Sequence, residues 1–200
     1  MNKVLILFAH PALEKSRVHT SLLKAVSKVP GITLNDLYQQ YPDFDIDVDR
    51  EQQLLIDHDI IVWQHPFYWY SAPALLKQWE DLVLQHGWAY GRNGHALKGK
   101  KVFNAFSSGA SMKAYHMEGS QHCTITDLLR PFERTAWLCQ MIYLPPFWIS
   151  DSHRLDSSQI QQYSIQYREL LIALQDGTLS EEDALSMTQL NEFIGVKNIF

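Results

Sequence analysis

The sequence has few of the features that mark disulfide-linked, metal-binding or membrane-spanning proteins. It contains only two cysteines, Cys123 and Cys139, and their positions do not give metal-ligand spacing. This number is typical of a reducing compartment and argues against a disulfide framework. The apolar run at residues 3–9 is too short for a signal peptide or a transmembrane helix, and no later run reaches a membrane-spanning length. We therefore expect a cytoplasmic protein, for which a membrane partner would be the only route to the inner face of the cell membrane.

The sequence also lacks an excess of positive charge. Its formal net charge is −5 and its isoelectric point is about 6.0, so no basic stripe is available for nucleic acid or anionic lipid. Hydrophobic residues make up 46% of the chain and charged residues 20%, which is ordinary for a globular protein and excludes disorder. A length of 200 residues fits one α/β domain with a substantial core.

Short apolar runs alternate with helical patterns along the chain. Strands are predicted at residues 4–9, 32–34, 59–64, 102–106 and 142–149, the last bent at Pro145-Pro146. Helical periodicity is found at residues 18–26, 51–56, 74–84, 126–138 and 157–174, and residues 87–99 form a long loop with four glycines. This alternation predicts a flavodoxin-like three-layer α/β fold, whose five-stranded parallel sheet has the order 2-1-3-4-5 and helices on both faces.

The last predicted helix of the core ends at Gly177. Residues 1–177 are therefore predicted to be the ligand-binding domain, and residues 178–200 a helical tail outside the core pattern. A weak capping box at Ser180 predicts one more short helix at the start of this tail.

Three loops follow the first, third and fourth predicted strands, where ligands bind in open parallel sheets. The first loop offers His10, Ser16, Arg17 and the free amides of a helix start, which together suit a phosphate group. The alternative is that Ser16 is only a helix N-cap and His10 an ordinary loop residue. The loop has no G-x-G-x-x-G fingerprint and no P-loop pattern.

The second loop contains four consecutive aromatic residues, Phe67, Tyr68, Trp69 and Tyr70. They cannot all lie in the core, because neighbouring side chains of an extended segment point in different directions. Their faces and polar tips suit a large flat ring. The alternative is an aromatic patch used for dimerisation, and both interpretations hold if the site lies at a dimer interface.

The third loop consists of small residues, Ser107, Ser108, Gly109 and Ala110. Small side chains let a ligand approach the backbone closely, although an ordinary turn has the same composition.

Two patterns that imitate metal sites do not support one. Alternating aspartates between residues 43 and 49 resemble the start of a calcium loop, but Val48 occupies the glycine position and Leu54 the position of the bidentate glutamate. His116 and His122 are not at metal-ligand spacing on a helix. We therefore expect no metal site and interpret the acidic segment as a solvated loop.

Together these segments resemble the NAD(P)H:quinone oxidoreductases of the flavodoxin-like superfamily. Within it, the chain is most similar to the ancillary subunits of glutathione-regulated potassium-efflux systems. The resemblance covers roughly residues 3–175. Its motifs are His10-Pro11, Tyr41-Pro42-Asp43-Phe44, Val62-Trp63-Gln64-His65-Pro66, Trp69-Tyr70, Pro73-Ala74-Leu75-Leu76-Lys77, His86-Gly87-Trp88-Ala89-Tyr90-Gly91 and Leu144-Pro145-Pro146-Phe147.

The resemblance implies an enzyme that carries out two-electron, ping-pong hydride transfer from NAD(P)H through a noncovalent flavin to a quinone-type acceptor. The short phosphate loop and the lack of an adenine-binding insert favour FMN, with FAD as the alternative. The resemblance also implies a homodimer. A second hypothesis is a regulatory ancillary subunit that binds and activates a potassium-efflux antiporter, with redox activity secondary. An electron-transfer flavodoxin fits less well, because the chain is longer and less acidic than such proteins.

The resemblance also implies a role for each site residue. His10, Ser16, Arg17, Val18 and His19 would surround the flavin phosphate. The aromatic residues of the second loop would line the isoalloxazine, and the small residues of the third would meet its pyrimidine end. Tyr115 and His122 would assist the charge that develops on the reduced ring, with His116 as the competing histidine. Ala110 and Ser111 depart from the glycine-rich pattern of the family.

Overall fold

Six strands form one parallel sheet in a computed structural model, which describes residues 1–193. The strands are β1 (Val4–Phe8), β2 (Ile32–Asp36), β3 (Ile60–Pro66), β4 (Lys101–Ser107), β5 (Ile142–Tyr143) and β6 (Phe147–Ile149). Their order is β2-β1-β3-β4-β5, and β6 also pairs with β4. The predicted order and the predicted flavodoxin-like class are confirmed.

The fifth position of the sheet is shared by two short strands instead of one bent strand. β5 pairs with the start of β4, through Lys101↔Ile142, and β6 pairs with its end, through Ser107↔Ile149. Pro145 and Pro146 lie between them and have no N–H to donate to a ladder. The prolines therefore divide the strand that the apolar run predicts.

Helices cover both faces of the sheet. They are α1 (Arg17–Val26), α2 (Leu37–Gln40), α3 (Val48–Asp57), α4 (Ala74–Val83), α5 (Ile125–Leu138), α6 (Ser157–Asp176) and α7 (Glu181–Ser186). Short 3-10 turns occur at Leu13–Lys15, Met112–Ala114 and Leu190–Glu192. α1 and α6 pack on one face with the even-numbered residues of β1, and α3, α4 and α5 pack on the other with Leu5 and Leu7. Because both faces are covered, β1 and β3 are buried throughout, as their apolar runs predict.

Part of the acidic segment is helical, which corrects its interpretation as a loop. Asp47 is the N-cap of α3, and its side chain accepts a hydrogen bond from the Arg50 amide. Asp49 lies in the first turn, where a carboxylate is favoured by the helix dipole. The aspartates at these two positions therefore start a helix.

The segment after Gly177 packs against the α1 and α6 face. Ser180 caps α7, as its capping pattern predicts, and Leu179, Ala184 and Leu190 are buried in the same apolar cluster as α6. Residues 194–200 of the predicted tail lie outside the described residues. Among the helices of residues 1–193, none has both the length and the apolarity needed to cross a bilayer.

Candidate active site

The carboxyl ends of β1, β3 and β4 bring the three loops of interest together. The register pairs Phe8 with Gln64 and Pro66 with Ser107, so the strands end side by side. The Phe67 amide donates to the Ser107 carbonyl at 2.8 Å, which joins the second and third loops. The rings of His10 and Tyr68 meet edge to face at a centroid distance of 6.1 Å, which joins the first and second.

The first loop ends in a capped helix with free amides. Ser16 is the N-cap of α1, and its hydroxyl accepts from the His19 amide at 3.1 Å. The first amides of a helix have no intrahelical partner, so those of Arg17 and Val18 stay available to an anion. Arg17 itself donates to the Leu155 carbonyl, and the Val18 side chain is buried. Val18 therefore offers a ligand only its backbone.

His10 is held in one tautomer beside these amides. Its Nδ1 accepts a hydrogen bond from the Ala12 amide at 3.1 Å, so the ring proton of the neutral form is on Nε2. Burial lowers the pKa of His10, which keeps the ring neutral at physiological pH. His10 is thus a neutral donor at the edge of the loop.

The second loop makes a strained turn that carries exposed aromatic rings. Tyr68 and Ser71 exchange two backbone hydrogen bonds, and the central residues Trp69 and Tyr70 have φ values of 50° and 65°. Two consecutive positive φ values define a type I′ turn, which normally contains asparagine and glycine. Trp69 is 93% exposed, whereas Phe67 is packed against Phe106. The four aromatic residues are therefore divided between core and surface, as their adjacency predicts.

The third loop is held by the strand that follows it in the sheet. The Trp148 indole donates to the Ser108 hydroxyl at 2.9 Å, and this hydroxyl donates to the Ala110 carbonyl at 3.0 Å. A Cβ on Gly109 would stand 3.2 Å from the His153 ring, closer than almost all Cβ contacts. Gly109 is therefore the residue that lets this loop pass His153.

Tyr115 lies at the site, whereas the neighbouring histidines point into solvent. Its ring contacts those of Phe67 and Trp148 at centroid distances of 6.3 and 5.4 Å. Burial raises the pKa of Tyr115, so the phenol keeps its proton. His122 is exposed and has a φ of 51°, and His116 is exposed as well. Among the described residues, neither histidine side chain has a hydrogen-bond partner, and the choice between them stays a prediction.

Sequence reasoning missed three residues that the fold places here. His153 follows β6 and lies against Gly109, because the loop after the fifth strand also ends at this edge. Gln64 contacts both the Tyr167 hydroxyl and the buried ring of His19. The position of Gln64 at the end of an otherwise apolar strand is the signal that points to it. Tyr167 has no such signal, because it occupies an apolar position of α6.

The described residues fit a ligand with a phosphate at one end and a flat ring at the other. Free helix amides and a neutral histidine lie at the first loop, exposed aromatic rings at the second and small residues at the third. A flavin mononucleotide has this combination of groups. Within residues 1–193, no three metal-ligating side chains come together.

Comparison with known proteins gives the same fold. Residues 2–171 match the family model described as flavodoxin-like fold. The uncharacterized NAD(P)H oxidoreductase YrkL of Bacillus subtilis is 50% identical over 72% of this chain and 83% of its own length. The glutathione-regulated potassium-efflux system ancillary protein KefG of Pectobacterium atrosepticum is 44% identical over 84% of this chain and 92% of its own length.

Two solved structures support this relationship. General stress protein 14 of Treponema denticola, solved in complex with FMN, has a TM-score of 0.81 and 43% identity over 86% of this chain and 99% of its own. An NADPH-quinone reductase from P. pentosaceus has a TM-score of 0.77 and 34% identity over 84% of this chain and 96% of its own. The chain therefore belongs to the flavodoxin-like family that contains these NAD(P)H oxidoreductases and potassium-efflux ancillary proteins.

Proposed function

We propose that this protein is an FMN-dependent NAD(P)H:quinone oxidoreductase. The observation that carries the proposal is the strained aromatic turn at Trp69 and Tyr70, placed beside a phosphate-type helix start and a loop of small residues. Backbone strain of this kind persists mainly at functional sites, because a surface turn without a ligand gains nothing from it. The relatives named as NAD(P)H oxidoreductase and NADPH-quinone reductase support the same activity.

Each part of the site has a defined task in this proposal. The amides of Arg17 and Val18 would bind the phosphate of the cofactor, and His10 Nε2 would donate a hydrogen bond to one of its oxygens. When bound there, FMN would supply the two-electron chemistry between NAD(P)H and a quinone, with the second proton of the hydroquinone coming from water. The aromatic turn would exclude water from one side of the ring, and the half-buried Tyr115 is the donor proposed for its negative edge.

Cofactor identity is the first test. The purified protein is heated, and the released chromophore is identified by mass and visible spectrum. FMN should be recovered, and NADH or NADPH should then be consumed in the presence of a quinone with ping-pong kinetics. Recovery of FAD would correct the cofactor, and the absence of any flavin, with none taken up on titration, would contradict the proposal.

Tyr115→Phe tests the proposed donor. We expect slower reduction of the bound flavin by NADPH, by less than the roughly 100-fold loss seen when one donor is removed from a strongly preorganised site. FMN affinity should stay nearly unchanged, because the ring packing is kept. An unchanged reduction rate would leave Tyr115 as a packing residue and favour His122 or His116.

We also propose that the protein is a homodimer. Trp69 is 93% exposed beside the site, and a second copy that covers it would complete the wall around the ring. Sedimentation of the flavin-loaded protein at micromolar concentration should give a dimer. A monomer with full activity would contradict this.

A second function is supported by the potassium-efflux relatives. Phe44 has a φ of 63° and is 37% exposed, with its ring packed edge to face against Tyr38 and the exposed Asp43 and Asp45 on either side. We propose this tip as the contact with an antiporter at the inner face of the membrane. The test is potassium efflux from cells that express such an antiporter with this protein, compared with Asp43→Asn/Asp45→Asn. Equal efflux with the variant would exclude this tip as the contact.

A further inference from the structure

Four side chains form a buried polar chain that crosses from α6 to the candidate site. Tyr167 donates its hydroxyl to Gln64 Oε1 at 2.8 Å. Gln64 Nε2 lies 3.3 Å from His19 Nδ1, and His19 Nε2 lies 3.0 Å from Ser107 Oγ. Tyr167, Gln64 and His19 are wholly inaccessible to solvent, and Ser107 is 8% exposed at the end of β4. This series of hydrogen-bonded side chains therefore begins in the core and ends at the site.

The direction of the first hydrogen bond is determined by Tyr167. Its hydroxyl contacts no other polar group in residues 1–193, so donation to Gln64 Oε1 is the only way to satisfy its proton. With Oε1 turned toward Tyr167, the amide group of Gln64 faces His19. The opposite orientation of the amide would leave a phenol proton unpaired in the core.

The remaining directions follow from this one. His19 Nδ1 receives the Gln64 N–H and must be unprotonated, so the proton of the neutral ring is on Nε2. Burial, reinforced by the nearby His10 and His65, lowers the pKa of His19 and keeps the ring neutral. His19 Nε2 then donates to Ser107 Oγ, and among the described residues no acceptor contacts the proton of this hydroxyl.

We propose that Tyr167, Gln64 and His19 act as positioning residues that make the Ser107 hydroxyl a fixed donor to an acceptor atom of the bound flavin. The proposal rests on the proposed function for the identity of the ligand. Without these hydrogen bonds, a serine hydroxyl can rotate and serve as donor or acceptor. With them, one lone pair of Ser107 Oγ is occupied by the His19 N–H, and the hydroxyl proton is directed to the ligand. The hydrogen-bond direction fixed by Tyr167 in the core thereby favours a ligand that places an acceptor atom beside Ser107 at the end of β4.

The tautomer of His19 is tested first, on the apoprotein. In ¹⁵N-histidine-labelled protein, the ring of His19 is assigned by its loss in His19→Gln, and it should show an unprotonated Nδ1 and a protonated Nε2. Tyr167→Phe should give a mixture of tautomers, since Gln64 can then adopt either orientation. Tyr163 lies one turn earlier on α6, and its hydroxyl makes no hydrogen bond within residues 1–193. Tyr163→Phe is therefore the matched control and should leave the tautomer unchanged. A protonated Nδ1 in the wild type would overturn the proposal.

FMN affinity tests the connection to the ligand. Titration of apoprotein with FMN should give a dissociation constant about fivefold higher for Ser107→Ala and roughly threefold higher for Tyr167→Phe, as expected for the loss or partial loss of one neutral hydrogen bond. In Ser107→Ala/Tyr167→Phe, the effect of the tyrosine change should disappear, because Tyr167 acts through the Ser107 hydroxyl. A merely structural Tyr167 would lower stability and leave FMN affinity unaltered.

The outcomes separate this inference from the proposed function. If the wild-type protein binds no FMN, the proposed function fails and the ligand assignment fails with it. If the wild-type protein binds FMN and Ser107→Ala binds it equally well, only the further inference is overturned. An additive effect of the two substitutions would also overturn it, since the tyrosine would then act by another route.

Discussion

Two buried carboxyl side chains on one face of the sheet have contrasting surroundings. Glu51 of α3 is inaccessible to solvent and accepts hydrogen bonds from Tyr41 at 2.6 Å, Asn35 at 2.7 Å and Trp79 at 2.8 Å, with the Arg50 guanidinium at 2.5 Å. Glu80 of α4 has a side chain that is 10% exposed, and its Oε1 has no partner among the described residues. Its other oxygen lies 4.0 Å from Lys77 Nζ.

The difference shows that burial alone does not decide whether a carboxylate is tolerated. Burial raises the pKa of Glu80 to about 7, because few donors replace the water that the side chain loses. Burial, together with the nearby negative charge of Glu80, also raises the pKa of Cys139 to about 11, which makes this thiol unreactive. Glu51 accepts hydrogen bonds from β2, from the C-cap residue of α2 and from α4, and it therefore joins these three elements to α3.

Removal of the Glu51 carboxylate is the change expected to have the largest effect. Glu51→Ala leaves three buried donors and a guanidinium without their acceptor, and we expect a loss of about 3–5 kcal/mol in the free energy of unfolding. Urea unfolding with an unchanged m-value measures it. Glu182→Ala, at an exposed position of α7, is the control and should change stability by less than about 0.5 kcal/mol. Similar losses for the two variants would show that the Glu51 contacts do not stabilise the fold.

Glu80→Gln should have the next largest effect, and it should depend on pH. Because the pKa of Glu80 is higher in the folded protein than its ordinary value of 4.5, the wild type loses stability relative to the variant as pH rises from about 4.5 to 7. The relative gain of the variant should reach about 3 kcal/mol at pH 8 and vanish near pH 4.

Urea midpoints of the wild type and of Glu80→Gln at several pH values measure this gain. Glu182→Gln serves as the control, since its side chain is exposed and its effect should not change over the same range. A constant offset between the wild type and Glu80→Gln at every pH would show that the carboxyl of Glu80 does not titrate abnormally.

Tyr41→Phe should have the smallest effect of the three. It removes one of the donors of Glu51 and keeps the ring, so we expect a loss of about 1–2 kcal/mol. Tyr163→Phe removes a hydroxyl that has no hydrogen-bond partner in the described part of the chain, and it should cost much less. Thermal unfolding of the two variants side by side gives the comparison. Equal melting temperatures would mean that the remaining donors of Glu51 are sufficient.

The sequence predicts the layers of this fold better than it predicts its polar contacts. The apolar runs of β1 and β3 predict buried strands, and the carboxyl ends of β1, β3 and β4 predict the edge of the sheet at which the three loops lie together. The donors of Glu51 come from positions 35, 41 and 79, and Tyr167 is 103 residues from Gln64. Periodicity indicates which side of an element is buried, but polar partners across layers depend on the assembled fold.

The type I′ turn at Trp69 and Tyr70 has a consequence for attempts to stabilise this protein. Left-handed backbone costs roughly 1–2 kcal/mol at each residue that has a Cβ, so asparagine and glycine at these positions would relieve it. A search for heat-resistant variants is therefore expected to select such replacements early. The same replacements remove the rings from the edge of the site. Thermal stability would therefore be gained, and turnover lost, by changes at the same two residues.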